Sequence, residues 1–405
     1  MKKFNKVLSV VVASAMVMAM AGCGNTDNGS AATGTNAATE SAAADNGAAS
    51  GSVFKIGGIG PTTGGAAVYG LAVQHGAEIA VEEINAAGGI NGYQVEFKFQ
   101  DDEADAEKSV NAYNALKDWG AQVLDGSTTS GACIAVTDKT KEDNMFQITP
   151  SGSAVECVQY DNNFRVCFSD PNQGLASAQY IGENGLAEKI AVIYDSSDVY
   201  SSGIYEKFVK EAENQPFEVV AAEAFTADNK TDFSVQLQKA KDAGADMVFL
   251  PIYYQESALI LTQAAAMGYA PKWFSCDGMD GILGGVDNFD VSLTEGVMLL
   301  TPFAADATDD LTQSFVTKYK EKYGDTPNQF AADSYDAIYV IKAAIEKSGV
   351  TPDMSVSDIC DGMKAAMTEI TVDGLTGNGM TWTADGEANK APKAVVIENG
   401  AYKAM

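Results

Sequence analysis

Hydrophobic and polar positions alternate from residue 53 onward between the two-residue period of strands and the wider spacing of helices. The run "VFKIGGIG" predicts a strand, and "YGLAVQHGAEIAVEEINAAGG" predicts an amphipathic helix that ends at Gly88–Gly89. The stretches "YQVEFKFQ" and "DAEKSVNAYNALKDW" repeat this order, and "AQVLDG" and "MFQIT" are short strands around a helix at 131–143. Strands separated by helices of this length indicate right-handed βαβ units and parallel sheets.

A second alternating set begins near Pro171, with helices at 173–184, 203–214, 232–243 and 255–268 between strands "KIAVIYD", "FEVVAAEAF", "DMVFLP" and "KWFS". After "GVMLLTP" come two long helices, a third helix at 356–369, and the strand-like segments "GMTWTADGE" and "PKAVVIENGAYK". The fold class predicted is therefore α/β, with two doubly wound parallel-sheet lobes.

The two lobes are predicted to exchange segments of chain. We assign residues 53–170 and 301–377 to the first lobe, and residues 171–300 and 378–405 to the second. The chain then crosses three times between the lobes, near Asp170, Thr301 and Gly377. These three crossovers would form a hinge.

The N-terminus has the features of an export signal. Three lysines precede an apolar run that is short for a mature transmembrane helix, so residues 1–22 are predicted to be a signal peptide. "Met20-Ala21-Gly22-Cys23" resembles a bacterial lipobox, which implies cleavage before Cys23 and lipid on its sulfur; an ordinary signal peptide with an incidental cysteine is the alternative. Residues 23–52 contain mostly Ala, Gly, Ser, Thr and Asn, the composition of a flexible tether. We expect an exported protein anchored to the outer face of the bacterial cytoplasmic membrane.

The composition excludes several classes of function. A formal net charge of −29 and a single arginine, Arg165, rule out nucleic-acid binding, which requires basic residues to neutralise phosphates. The only histidine, His75, lies in a helical pattern, so neither a zinc site nor a Ser-His-Asp triad has its parts. Gly58, Gly60 and Gly64 form only a loose dinucleotide fingerprint. We expect no enzyme activity, no cofactor and no metal.

Five cysteines remain beyond the lipobox: Cys133, Cys157, Cys167, Cys276 and Cys360. Their number is odd, so at least one thiol is unpaired. Cys157 and Cys167 flank "VQYDNNFRV", where Asp-Asn-Asn could turn a hairpin. A disulfide between these two residues is predicted, since an exported protein folds in an oxidising environment.

Ligands of open parallel sheets bind beyond the carboxyl ends of the strands. The first set of strands is followed there by hydroxyl side chains at Tyr69, Ser130, Ser151 and Ser153. The second set is followed by phenols and a carboxylate at Tyr200, Tyr253 and Asp277, with Asp170 at the junction between the sets.

The two kinds of strand end suit opposite charges. Serine hydroxyls and helix N-termini suit a carboxylate, whereas aspartates with phenol oxygens suit an ammonium group. A cleft with both poles would bind a free α-amino acid. Each residue also has a structural alternative: the serines as helix N-caps, the aspartates as solvated turn residues, and the tyrosines as core or rim aromatics.

The stretch "KIGGIGPTTGGAAVYGLAVQHGAEIAVEEINAAGGINGYQVEFKFQDDEAD" resembles the start of the leucine/isoleucine/valine-binding protein family, the type I solute receptors of ABC importers. "ITPSGSA", "FRVCFSDPNQG", "IAVIYDSSDVYSSG" and "DFSVQLQKAKDAGADMVFLPIYYQESALILTQAAAMG" continue the resemblance in order, so it covers about residues 53–405. It implies the type I periplasmic-binding-protein fold, and it implies that the lobes close about their hinge on a ligand.

The resemblance also implies roles for single residues. Ser130, Ser153 and the backbone of Ser151 resemble α-carboxylate contacts, and Tyr200 and Asp277 resemble α-ammonium contacts. Tyr69 and Tyr253 match positions that line the ligand side chain. Asp170 matches an aspartate that contacts the ammonium in the related lobes of metabotropic glutamate receptors.

The chain departs from the family pattern at several positions. Asp277 stands where the family has Glu, and Ala104 and Thr129 occupy the positions of an early disulfide. These differences leave amino-acid binding as the expectation and put branched-chain specificity in doubt. The resulting interpretation is a monomeric receptor that delivers an amino acid to an ABC permease; the alternatives are a receptor for a small amide, urea or aromatic acid, and a ligand sensor.

Overall fold

The computed structural model describes residues 51–405, and the predicted signal peptide 1–22, the lipidation site Cys23 and nearly all of the tether 23–52 lie outside these residues. The first sheet has five strands, all parallel, in the order β2-β1-β3-β4-β5. Its strands are Phe54–Gly60 (β1), Val95–Asp101 (β2), Val123–Asp125 (β3), Phe146–Thr149 (β4) and Asn163–Arg165 (β5).

The second sheet has seven strands in the order β12-β11-β10-β9-β8-β6-β7. The strands from β6 to β10 are parallel, and the last two are antiparallel additions at one edge. They are Lys189–Asp195 (β6), Glu218–Phe225 (β7), Met247–Leu250 (β8), Lys272–Ser275 (β9), Met298–Thr301 (β10), Lys393–Glu398 (β11) and Ala401–Ala404 (β12).

The helices alternate with these strands as predicted. They are Ala67–Ala86 (α1), Ala106–Trp119 (α2), Ser130–Asp143 (α3), Asp170–Glu183 (α4), Val199–Ala212 (α5), Ser234–Asp242 (α6), Tyr254–Ala266 (α7), Asp310–Tyr323 (α8), Gln329–Ser348 (α9) and Val356–Met367 (α10). Two mostly parallel sheets with alternating helices confirm the predicted α/β fold class.

Helices α1 and α9 pack along each other beside the first sheet. Gly76 of α1 permits this close approach, because a Cβ at this position would collide with the backbone carbonyl of Ala331 in α9. Since α9 begins at the end of the cleft described below, this packing positions its first residues relative to Tyr69 of α1.

Two helices begin earlier than the hydrophobic pattern predicted. Helix α4 starts at Asp170 rather than 173, because Pro171 fits the first turn, where the missing N–H has no intrahelical partner. Helix α5 starts at Val199 rather than 203, because the Asp198 side chain caps it by accepting from the Tyr200 backbone N–H. Asp170 and Tyr200 therefore lie in first helical turns.

The segment "GMTWTADGE" does not form a strand; it makes only isolated bridges, including one between Trp382 and Ala388. It stays with the first sheet, because Trp382 Nε1 donates to Arg165 O over 2.8 Å and the Arg165 backbone N–H donates to Gly386 O over 3.0 Å. Lys390 Nζ lies 2.6 Å from Asp333 Oδ1 of α9. We therefore propose that the third crossover lies near Lys390 rather than at Gly377.

Candidate functional site

One cavity brings together seven of the eight residues that the sequence predicted to contact the ligand. This small cavity, of about 10 Å³, lies beyond the carboxyl ends of the strands of both sheets. The cavity is lined by Tyr69, Ser130, Ser151, Ser153, Tyr200, Tyr253 and Asp277, together with Thr128, Thr129, Gly278 and Phe330. The eighth predicted residue, Asp170, is not part of this lining.

The hydroxyl pole of the cavity is built from the ends of β3 and β4. Ser130 Oγ accepts hydrogen bonds from the backbone N–H groups of Ser153 (3.1 Å) and Ala154 (3.2 Å), which ties the two strand ends together. Ser151 Oγ donates to Thr128 O over 2.6 Å. The cap of α3 is Thr129 and that of the following 3₁₀ turn is Ala154, so the alternative that these serines are N-caps is wrong.

Two hydroxyls at this pole have no hydrogen-bond partner within the protein. The side-chain oxygens of Thr129 and Ser153 are buried and unpaired. The first backbone N–H groups of α3 begin at the same place, and such groups have no partner inside the helix. Donors arranged in this way suit an anionic group such as a carboxylate.

Arg165 supports this pole from behind, and sequence reasoning did not identify it as a site residue. Its side chain is 0% exposed, and it donates to the carbonyl oxygens of Gly152 (3.3 Å), Ser153 and Ala154 (2.9 Å). Its Nε lies 3.4 Å from Glu387 Oε2. The guanidinium thus holds the loop that carries Ser153 and places a positive charge beneath it. The sequence contains no other arginine, and this fact could have drawn attention to Arg165.

The acidic pole is centred on Asp277, in the 3₁₀ turn after β9. Its Oδ1 accepts from Tyr200 Oη over 2.7 Å, and its Oδ2 accepts from Gln173 Nε2 over 3.0 Å. Burial raises the pKa of Asp277 to about 7, although the hydrogen bond from Tyr200 opposes the increase. Gly278 must lack a side chain here, because a Cβ would lie 2.6 Å from the Tyr200 hydroxyl.

Asp170 lies between the two poles. Its backbone N–H donates to Ser153 O over 2.9 Å, and its side chain is 1% exposed, with neither carboxylate oxygen hydrogen-bonded. Burial raises the pKa of Asp170 well above its ordinary value; the nearby Ser153 hydroxyl and the charge of Arg165 oppose this increase, while Asp277 adds to it. Because Asp170 and Asp277 (5% exposed) are both buried, the alternative of solvated turn residues is wrong for both.

Aromatic side chains close the cavity between the two lobes. Tyr69 of α1 donates its phenol hydrogen to Gly278 O and accepts from the backbone N–H of Tyr254 over 3.2 Å. Its ring centroid lies 5.4 Å from that of Tyr253 and 4.4 Å from that of Phe330. Tyr69 therefore connects an element of the first sheet to two elements beside the second.

Three further residues at the site were missed by the sequence reasoning. Gln173 holds Asp277 from the face of α4 that also carries Asp170, three residues earlier; helical spacing could have revealed it. Gln329 donates from Nε2 to Asp277 O over 3.0 Å. It stands beside Phe330 in the first turn of α9, and no local pattern marks either residue.

The cleft continues outward past Thr129 and Tyr253, which line both the inner cavity and a larger outer one of about 320 Å³. The outer part is mainly acidic: Glu103, Asp195, Asp198 and Glu256 line it together with Lys230. Lys230 forms an ion pair of 3.0 Å with Glu256. Burial raises the pKa of Asp198 to about 6.

The predicted disulfide between Cys157 and Cys167 is not formed; both residues are buried free cysteines. The prediction was wrong because the chain around Asp161–Asn163 does not turn a hairpin. Strand β5 pairs in parallel with β4, whereas Cys157 lies in a 3₁₀ turn, Val155–Val158, that packs against α3. In residues 51–405 no group of three or more His, Cys, Asp or Glu side chains is arranged to hold a metal ion.

Two α/β lobes with a cleft lined from both sides define the class of two-lobed solute-binding proteins. The family model described as "Periplasmic binding protein" matches residues 53–401, and the chain belongs to this family. The predicted resemblance is thereby confirmed.

Relatives of known name support the same assignment. The chain is 31% identical to Leu/Ile/Val-binding protein homolog 3 of Brucella melitensis, over 74% of this chain and 80% of that protein. It is also 31% identical to the leucine-, isoleucine-, valine-, threonine- and alanine-binding protein of Pseudomonas aeruginosa, over 73% and 79%. The crystal structure of the branched-chain amino acid transporter substrate binding protein LivJ from Streptococcus pneumoniae, in complex with isoleucine, superposes with a TM-score of 0.78 at 28% identity, covering 87% of this chain and 98% of that one.

Proposed function

We propose that this protein captures a free amino acid in the cleft between its lobes and delivers it to the permease of an ABC importer. Its relatives are substrate-binding proteins of transporters rather than enzymes. In the proposed role no covalent bond is made or broken. The lobes close on the ligand, and the permease recognises the closed form.

The observation that carries this proposal is the presence of two opposite poles in one cavity. Unpaired hydroxyls at Thr129 and Ser153 face the same space as the carboxylate of Asp277. The ligand carboxylate would accept from the hydroxyl pole and the N-terminus of α3. Its ammonium group would lie against Asp277 and the Tyr200 hydroxyl, and the buried carboxylate of Asp170 behind the lining would add negative charge to this pole.

The side chain of the ligand would pack against Tyr69, Tyr253 and Phe330. These rings favour a branched-chain or other small neutral amino acid, as the names of the relatives also indicate. The opening past Thr129 into the acidic outer cavity leaves room for a longer or more polar side chain.

The alternative ligands use only part of this arrangement. An aromatic acid would engage the hydroxyl pole but would leave Asp170 and Asp277 without a cation. A neutral amide or urea would balance neither pole. The buried acidic residues therefore favour a zwitterion. A sensor function would use the same cleft, and a permease encoded beside this protein would favour transport.

A thermal-shift screen of the 20 amino acids on residues 53–405 tests the proposal. A ligand at ~100 times its dissociation constant stabilises a protein by about 2.7 kcal/mol, which is a visible shift. Acetamide, urea and benzoate serve as the alternative ligands. Stabilisation by one of these three and by no amino acid would overturn the proposed ligand class.

The expected location follows the family and the N-terminal sequence. The periplasmic binding protein family indicates a site of action outside the cytoplasm. We propose that the chain is exported by its signal peptide and held by lipid on Cys23, so that residues 23–52 tether a monomeric receptor to the membrane. None of the helices in residues 51–405 is long and apolar enough to span a membrane.

A further inference from the structure

Two cysteines lie directly behind the hydroxyl pole. Cys133 is in the first turn of α3, and Cys157 is in the 3₁₀ turn that follows the Ser151–Ala154 loop. Both are 0% exposed, and they pack with Ala154 in one small apolar cluster. We propose that Cys133 and Cys157 form a disulfide when the chain folds outside the cytoplasm, and that this bond joins the two segments that carry the hydroxyl pole.

The backbone around both residues holds their sulfurs in place. The Cys133 N–H donates to Thr129 O over 2.8 Å, and the Cys157 N–H donates to Ala154 O over 3.0 Å. The Cys157 thiol points back to α3, where Ser130 O lies 3.7 Å from its sulfur. Cys157 is therefore directed toward the helix turn that carries Cys133, and the two side chains pack in the same small cluster.

The other cysteines in residues 51–405 have different surroundings. The Cys276 sulfur lies 3.5 Å from Ser177 Oγ, beneath the second sheet. Cys167 follows β5, and Cys360 belongs to α10, which packs on α9. None of these three residues belongs to the cluster formed by Cys133, Ala154 and Cys157. Geometry thus selects one pair out of five cysteines.

The oxidant is an external disulfide, either of a thiol-oxidising folding catalyst or of a small molecule. The thiolate of one of the two cysteines attacks one sulfur of that disulfide and releases the other as a thiol. The thiolate of the second cysteine then attacks the sulfur of the first, forms the internal S–S bond and releases the second thiol. Two protons leave the protein, and its two electrons reduce the external disulfide to two thiols. Since both cysteines are buried in the folded protein, the exchange occurs before this segment packs.

The bond would restrain the loop that carries Ser151 and Ser153 against the start of α3. A disulfide stabilises mainly by constraining the unfolded chain, so the oxidised protein should unfold at a temperature about 5 °C higher than the reduced protein. This inference does not depend on which ligand the cleft binds. Its readouts are the thiol state and the unfolding temperature, so it can fail while the proposed function holds.

The test uses the full-length protein purified without reductant and refolded with glutathione disulfide. The protein is alkylated with N-ethylmaleimide under denaturing conditions, and its peptides are mapped by mass spectrometry. We expect a linked peptide pair containing Cys133 and Cys157, with Cys167, Cys276 and Cys360 alkylated. Dithiothreitol should lower the unfolding temperature.

Two variants distinguish loss of the Cys133–Cys157 disulfide from a general effect of removing a cysteine. Cys157→Ser should abolish the linked peptides and make the unfolding temperature insensitive to dithiothreitol, whereas the matched control Cys167→Ser should retain both features. Alkylation of all five cysteines that follow Cys23 in refolded wild-type protein, or a linked Cys157–Cys167 peptide, would overturn the proposal. Mapping the wild type decides the matter even if a variant does not fold.

Discussion

The Tyr200 hydroxyl donates a hydrogen bond of 2.7 Å to Asp277 Oδ1 and accepts one of 2.9 Å from the backbone N–H of Gly278. The phenol therefore orients the carboxylate and the turn that carries it. Gln173 holds the other carboxylate oxygen. Two polar side chains on different helices thus position one acid, as is needed if Asp277 is to receive a cation in a fixed direction.

Asp277→Asn should weaken binding of the amino acid found in the screen, because the variant keeps the size of the side chain but loses the charge opposite the ammonium group. Losing one partner of a buried charge pair costs about 2–5 kcal/mol, or roughly 30- to 4000-fold in affinity. Calorimetric titration measures the change. Asp287→Asn, at an exposed position of the same lobe, is the matched control and should bind as wild type. Equal affinity of Asp277→Asn and the wild type would exclude an ammonium contact.

Ser130→Ala should weaken binding by about 1.5–3 kcal/mol, since it removes a hydroxyl next to the ligand carboxylate and leaves two backbone N–H groups without their acceptor. Ser151→Ala is the control, because that hydroxyl already donates to Thr128 O. Ser151→Ala should therefore weaken ligand binding less than Ser130→Ala does.

Ligand analogues separate the two poles. A carboxyl-amidated ligand should be little affected by Ser130→Ala but should remain sensitive to Asp277→Asn, and a deaminated ligand should show the reverse. If both variants weaken both analogues equally, the assignment of the poles is wrong.

Ligand-induced stabilisation should increase between pH 5.5 and pH 8. Burial raises the folded-state pKa of Asp277 to about 7, above its ordinary value of 3.8, so the ligand-free folded protein holds a proton that the unfolded chain has released. This contribution to stability is fully present below pH 4 and is lost as pH rises through about 7. The ammonium group of the ligand binds the charged carboxylate more strongly than the protonated one. Ligand affinity should therefore increase as pH rises.

Thermal unfolding with and without ligand from pH 5.5 to pH 8 measures both trends. Asp277→Asn should flatten the pH dependence of the ligand effect but only reduce that of the ligand-free stability, since burial also raises the pKa of Asp125 to about 7 and that of Asp280 to about 6. A ligand effect that is independent of pH in the wild type would contradict the prediction.

Tyr69→Phe should accelerate ligand release by roughly 5- to 10-fold. The ring of the variant still packs against Tyr253 and Phe330. The phenol hydroxyl, which bonds from α1 to the Gly278 carbonyl and the Tyr254 N–H, is lost. This loss should destabilise the closed form by about 1–1.5 kcal/mol. Stopped-flow displacement measures the rate. Tyr113→Phe removes a phenol that donates to Asp143 on the far side of the first lobe, and it should leave release unchanged.

Cys23→Ser should release the exported protein from the membrane fraction, because lipid on this sulfur is the proposed anchor. Fractionation followed by immunoblotting measures the distribution. Cys360→Ser is a control that leaves the lipobox intact and should remain membrane-bound. Retention of a correctly processed Cys23→Ser protein would show that lipid on Cys23 is not the anchor.

The amino-acid sequence by itself determined the layered architecture and most of the cavity lining. Alternating periods specify strands and helices locally, and parallel strands bring their carboxyl ends to one edge of each sheet. Residues that directly follow strands, such as Ser130, Ser153 and Asp277, could therefore be placed together without coordinates. The sequence also showed their chemistry, with hydroxyls on one side of the cavity and a carboxylate on the other.

Tertiary structure alone decided which distant groups support that lining. Arg165 reaches beneath the Gly152–Ala154 loop, and Gln329 reaches Asp277 from a helix that starts some fifty residues later. Cys157 packs in one cluster with Cys133 on α3, and that cluster does not include Cys167, its near neighbour in sequence. Periodicity carries no information about such contacts, because it reports which face of an element is buried and not which element packs against it.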